Sequence, residues 1–119
     1  MAKAFEEWKV LEHGPLVPLA ENLWWVSGSL PGMSLRRSMV VARSADGSLV
    51  IHSAIALRED AMRQIESFGR PAHLIVPSRY HRLDAPAYKK RFPEMRVYAP
   101  RGSHAAVSEV IAVDGTYED

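Results

Sequence analysis

Three short apolar runs, Leu49-Val50-Ile51, Leu74-Ile75-Val76 and Val97-Tyr98-Ala99, are separated by two stretches with helical punctuation. This alternation constrains the fold more than any other feature. Strands that alternate with helices form a sheet with parallel pairs, and the connecting helices cover it. Leu57 to Phe68 predicts the first helix: Leu57, Ala61, Ile65 and Phe68 share one face, Glu59 and Asp60 favour its N-terminal dipole, and Gly69 and Pro71 stop it. Asp84 to Phe92 predicts the second, with Asp84 as cap, Pro86 in the first turn, Lys89-Lys90-Arg91 at the C-terminus and Pro93 beyond. Ser103 caps a last helix running to about Ile111.

Upstream the punctuation is that of β-structure. Leu16 to Leu19 reads as a short edge strand between prolines, and Leu23 to Gly28 as an aromatic, β-branched strand ended by the Pro31-Gly32 turn. Ser38–Arg43 and Ser48–Ser53 flank Asp46-Gly47, a hairpin signal because glycine accepts positive φ without steric cost. Neighbours in a strand point to opposite faces, so Trp24 and Trp25 cannot both enter the core. The unalternating run Leu49-Val50-Ile51 predicts a strand covered on both faces. The result is a β-hairpin followed by β-α-β-α-β-α: one α/β domain over residues 16–119 on a mixed sheet, after a partly ordered lead-in over residues 1–15.

Composition enters where it excludes functions. With 15 Lys plus Arg against 14 Asp plus Glu, no charge excess argues for nucleic acid or an anionic membrane as partner. The absence of cysteine removes disulfides, thiolate nucleophiles and cysteine-based zinc sites, and suits a reducing compartment. No apolar run approaches the roughly 20 residues that span a bilayer, and the segment after Met1 lacks a signal-peptide core. The chain is therefore expected to be cytoplasmic.

Ligands of open α/β sheets gather at the carboxyl ends of the strands. Those ends are His52-Ser53, the segment Ser78 to Asp84, and Arg101 to His104. Arg79, His81 and Arg82 form a basic cluster suited to a small anionic ligand or phosphate, and equally to a solvated face. His52, His81, Asp84 and His104 supply ligand types that a metal accepts, although no His-x-His or His-x-x-x-His pair occurs. Each has a plainer use: Asp84 as a helix cap, His52 and His81 as hydrogen-bonding groups, and His104 as an exposed first-turn residue. His13 and His73 read as incidental. Ser53, Ser78 and Ser103 each lie near a histidine, but nothing in the sequence fixes a nucleophile with its base.

The run Leu23-Trp24-Trp25-Val26, the hairpin from Met39 to Ile51, and Leu74-Ile75-Val76-Pro77-Ser78 together resemble the opening half of the metallo-β-lactamase fold, over roughly residues 16 to 117. His52-Ser53-Ala54-Ile55, Pro77-Ser78-Arg79-Tyr80-His81, and Phe92-Pro93 before Val97-Tyr98-Ala99-Pro100 are most like an uncharacterised branch of that superfamily. The resemblance implies half of an αββα sandwich and, in active members, a two-metal hydrolase. Such members carry Thr-His-x-His-x-Asp-His after the fourth strand. Here Ser78 stands at the Thr, Arg79 at the first His, His81 at the second, Leu83 at the Asp and Asp84 at the last His. His52-Ser53-Ala54 stands where an Asp-Thr-Gly turn is usual. Leu83 cannot bind a metal and Arg79 repels one, so the motif implies a degenerate, metal-free relative. The candidate ligand-binding residues are His52, Ser53, Arg79, His81 and Arg82. The alternative is a hydrolase with one zinc, iron or manganese on His52, His81, Asp84 and His104, completed by a second subunit. A half-fold also leaves one sheet face apolar and open, which predicts a homodimer. A fragment without independent function is the third reading.

Overall fold

Turn chemistry and alternation together lay out the sheet. The computed structural model describes residues 4–118. β1 (Val17–Ala20), β2 (Leu23–Leu30), β3 (Met33–Arg43) and β4 (Ser48–His52) are joined by tight turns and pair antiparallel. Gly32 and Gly47 take φ of 66° and 86° at the two hairpin turns, values that side-chain-bearing residues seldom adopt. From β4 onward the connections are helical and the pairing is parallel: α1 (Glu59–Phe68) leads to β5 (Arg70–Ile75), α2 (Ala85–Arg91) to β6 (Arg96–Ala99), and α3 (His104–Ser108) to β7 (Gly115–Thr116). The seven strands lie in the sheet in the order β1 to β7.

Asp46 locks the second hairpin. Its carboxylate accepts from the Ser48 amide at 2.9 Å, the Ser48 hydroxyl at 2.7 Å and the Ser44 hydroxyl at 3.0 Å. The Ser48 bonds, first of all, hold its pKa down from the ordinary 3.8 to about 2. The sign follows directly. A carboxyl depressed by folding contributes stability above its unfolded pKa, and that contribution is lost as the pH falls from about 4 toward 2. Proton titration of the Asp46 carboxyl by NMR is expected to give a midpoint near 2, and a midpoint near 3.8 would mean that the hydrogen bonds are not kept in solution.

One sheet face carries the helices and the core. Val26, Met39, Val41, Leu49, Ile51, Leu74 and Val97 meet Met62 and Ile65 of α1 and Tyr88 of α2 in a single core. Tyr88 donates its hydroxyl to the Ile55 carbonyl at 2.7 Å, and burial raises its pKa, so it remains a donor. Trp24 turns to this side and stacks on Phe68 at 3.9 Å. Trp25 turns to the other.

That second face corrects the expectation of a strand covered on both sides. Trp25, Val40, His52, Ile75 and Tyr98 lie in one row across β2 to β6. Trp25, Val40, Ile75 and Tyr98, with Val50 beside them, are only half-buried. Periodicity fails here because both faces are apolar while only one is roofed by helices.

Other boundaries also moved. β3 begins at Met33, five residues before the expected start at Ser38, because Met33 to Arg36 lies on an exposed hairpin arm with no buried apolar alternation to mark it. α3 stops at Ser108, short of Ile111, although Ile111 is still buried. β7 is a two-residue strand with no sequence signal. Gly69 follows α1 as expected, but its φ of 175° is ordinary extended backbone. Glycine is required there by proximity: a Cβ would sit 2.4 Å from the Gly47 carbonyl oxygen and 2.7 Å from Leu49 Cδ2. Gly69→Ala is expected to destabilise by about 1–3 kcal/mol, read as a lower urea midpoint, because backbone must shift to admit the methyl group.

The lead-in is held to the core over residues 4–15, and its first three residues lie outside the described ones. Trp8 donates its indole N–H to Leu57 O at 3.0 Å and packs on Tyr88 at 4.8 Å between ring centres. His13, which the sequence left as incidental, is buried and joins two segments. Its Nδ1 lies 2.7 Å from Gly14 O and its Nε2 2.9 Å from the Arg58 amide, so Nδ1 donates and Nε2 accepts. Among the described residues no helix is long and apolar enough to cross a membrane.

Candidate functional site

The parallel strands β4, β5 and β6 point their carboxyl ends at one rim, and the loops that leave them carry the candidate residues. β4 ends at His52, and Ser53 turns the chain away with φ of 62°. A non-glycine residue in this left-handed region stores strain of about 1–3 kcal/mol. It is fixed there by the Ser53 amide donating to Ile75 O at 3.0 Å, and its Oγ lies 3.0 Å from His52 Nδ1.

After β5, Ser78 starts a single 3-10 turn over Arg79–His81. Its Oγ accepts from the Tyr80 amide at 3.1 Å and lies 2.9 Å from His81 Nδ1. The hydroxyl holds the His81 ring through Nδ1 and leaves Nε2 turned away from this bond. Partial desolvation, and then the proximity of His52, holds the His81 pKa below its ordinary value, which favours the neutral ring. Arg79, Tyr80 and His81 are all exposed.

Arg82 does not join them. Its side chain is buried, with Nη1 donating to the Ala106 carbonyl and, at 2.8 Å, to the Glu109 carboxylate. It ties the turn to α3 and leaves Arg79 and His81 as the exposed cationic and imidazole groups of the cluster.

Asp84 is the largest departure. As a helix cap it would bond the first amides of α2, and it makes no such bond. Its carboxylate is fully buried: Oδ2 accepts from the Ala56 amide at 2.9 Å and lies 2.9 Å from Arg37 Nη2. Desolvation raises its pKa, against the pull of Arg37. Sequence reasoning missed Arg37. The signal was present, because Arg37 is in phase with Met39 and Val41, and a cation on a core-facing position of a strand needs a buried carboxylate.

His104 stands at the start of α3, exposed, with Nδ1 3.4 Å from Ser108 Oγ. The structure therefore brings His52, Ser53 and His81 together with Arg37 behind them, and does not bring Asp84 or His104 to the same point. Among the described residues no three His, Asp or Glu side chains are placed to hold a metal ion. Arg79 is cationic, Leu83 has no donor atom, and Asp84 is committed to Arg37. The donor set does not fit a metal centre. The notch between Arg37, Ser53 and His81 has a volume of about 10 Å³, room for one water at most.

No family model and no curated protein matches the chain. Solved structures do. A crystal structure of DIM-1 metallo-β-lactamase exposed to ceftazidime is 14% identical with a TM-score of 0.64, over 91% of this chain and 52% of that one. A second DIM-1 metallo-β-lactamase structure gives 12% and 0.63 over 88% and 52%, and a metallo-β-lactamase from Hirschia baltica gives 12% and 0.60 over 91% and 52%. The chain spans about half the length of these proteins. At this identity the likeness establishes architecture: a mixed α/β sheet forming half of a metallo-β-lactamase-like fold.

Proposed function

We propose that this half-fold is a metal-free, catalytically degenerate binding module, cytoplasmic by default, that captures a small anion at the strand-end rim through Arg79 and His81. The single observation behind this reading is the Ser78-capped turn, which exposes a guanidinium and an imidazole two residues apart while Arg82 anchors the turn to α3. Ser53 and His52 form the opposite wall, and their hydroxyl and imidazole add donors without adding a nucleophile–base–acid series.

Calorimetric titration with inorganic phosphate and with acetate tests the reading. Arg79→Ala is expected to weaken binding about tenfold or more, since a hydrogen bond to a charged group contributes about 1.5–3 kcal/mol. Affinity is also expected to rise as the pH falls through the lowered pKa of His81, because the imidazolium adds a positive charge. Folding stability moves the other way. The unfolded chain takes up this proton more readily, so the contribution of neutral His81 is complete above pH 6.5 and is lost below it. Affinity unchanged by Arg79→Ala and by pH would remove the anion reading.

The proximity of His52 and His81 supports one alternative, a hydrolase whose single metal is completed by a second subunit. Elemental analysis separates the two. About one zinc, iron or manganese per chain or per dimer, lost on His81→Ala, would replace the metal-free reading.

We further propose a homodimer in which the open faces of two sheets pack together. Trp25, Val40, Val50, Ile75 and Tyr98 form a half-buried apolar surface whose central row holds no Lys, Arg, Asp or Glu, which suits self-association.

A further inference from the structure

The arm of β3 that precedes the core, Met33 to Arg37, carries apolar side chains into solvent. Met33 is 55% exposed and Leu35 65%, and across a gap stands Tyr80 at 77%. These are three of the six large apolar side chains left exposed among the described residues, and all three line one cleft of about 430 Å³ between the β2–β3 hairpin and the 79–83 turn. Alternation along β3 puts Met33 and Leu35 on the helix side of the sheet, in phase with Met39 and Val41. The cleft therefore lies away from the open sheet face and adjoins the notch at Ser53 and His81, with Tyr80 and Leu83 bordering both.

Its polar lining is cationic. Arg79 and Arg82 both border it, Arg82 being paired with Glu109, and among the described residues no carboxylate is part of the lining. The Arg82 side chain is only 7% exposed, and its Nε is buried without a hydrogen-bond partner among the described residues. The volume lies within the range of small-molecule pockets, about 300–1,000 Å³, and is too small to seat a folded partner.

We infer that this cleft binds an apolar monocarboxylate, its chain lying among Met33, Leu35 and Tyr80 and its carboxylate reaching Arg79. The inference rests on the anion-binding reading of Arg79 and specifies the ligand: an anion with a single apolar tail. Charge complementarity supplies orientation, and burial of the tail supplies affinity.

Calorimetric titration of the full chain with acetate, hexanoate, octanoate and octylamine decides the matter. Affinity is expected to increase about three- to fourfold for each methylene added, the ratio set by burying one such group. Octylamine, with the same tail and the opposite charge, is expected to bind at least tenfold more weakly than octanoate. Leu35→Ser, at an exposed position where the fold is not at stake, is expected to flatten the dependence on chain length while leaving acetate binding and the urea midpoint unchanged. Arg79→Ala is expected to weaken octanoate at least tenfold. Equal affinity for acetate and octanoate would sink this inference and leave the anion reading standing. Equal affinity for octanoate and octylamine would also sink it, and binding of no anion at all would remove both.

Discussion

Replacing Asp84 by alanine is expected to cost about 3–5 kcal/mol of stability, because it strands the guanidinium of Arg37 in the core. Domains of this kind have a total of about 5–15 kcal/mol, so the variant would be mostly unfolded in mild urea. Both partners are withdrawn from water: the Arg37 side chain is 9% exposed and the Asp84 side chain 0%. Asp84→Asn is expected to be milder, since its carbonyl can still accept from the Ala56 amide, but it also leaves the cation uncompensated. The informative control is the double replacement Arg37→Met with Asp84→Leu. Removing a buried pair together is often neutral or stabilising, and the cycle isolates the coupling. Urea midpoints of the four proteins measure it. A loss below about 1 kcal/mol in Asp84→Ala would mean that solvent reaches the pair. The pH dependence is distinctive as well. Asp84 has a raised pKa, so the folded chain holds its proton more tightly than the unfolded one. Its contribution favours folding at low pH and diminishes as the pH rises through the folded value, so the acid limb of unfolding belongs to Asp46, Glu12, Glu59 and Glu109, whose pKa values are lowered.

Ile75→Lys is expected to weaken the proposed dimer about a thousandfold. Each lysine would bring an unpaired charge into a desolvated sheet–sheet contact at about 2 kcal/mol or more, and a two-fold axis counts every substitution twice, giving about 4 kcal/mol. Ile75 is half-buried in the single chain, where a lysine stem can lie along the sheet with its ammonium in water. The monomer is therefore expected to stay folded. Sedimentation at micromolar concentration would report the change as a fall from twice the 13.3 kDa chain mass to the chain mass itself. A wild-type chain that sediments as a monomer there would exclude the dimer.

The parts of the fold that were legible in sequence are those governed by neighbours in the chain. Asp46-Gly47 and Pro31-Gly32 declare their turns, and the runs at Leu49, Leu74 and Val97 declare parallel strands between helices. The parts that were not legible depend on distant partners. Asp84 has the form of a helix cap, and only Arg37 and Ala56, 28 residues or more away, turn it inward. Arg82 looks like one more surface cation until Ala106 and Glu109 take it. His13 seems incidental until Arg58, 45 residues on, supplies its amide. The rim itself was predictable from topology, since strand carboxyl ends converge by construction. Which of its basic groups face solvent was not, because that choice is made by α3 and β3.

The unbroken order of strands from β1 to β7 has a kinetic consequence. Each new strand adds beside the one made just before it, so no strand must be threaded into a gap between two already paired. Sheet contacts stay comparatively local in sequence, and local contacts favour fast folding. A chain emerging N-terminus first can extend its sheet one edge at a time, with the β1–β4 hairpins as the template on which the slower parallel additions are laid.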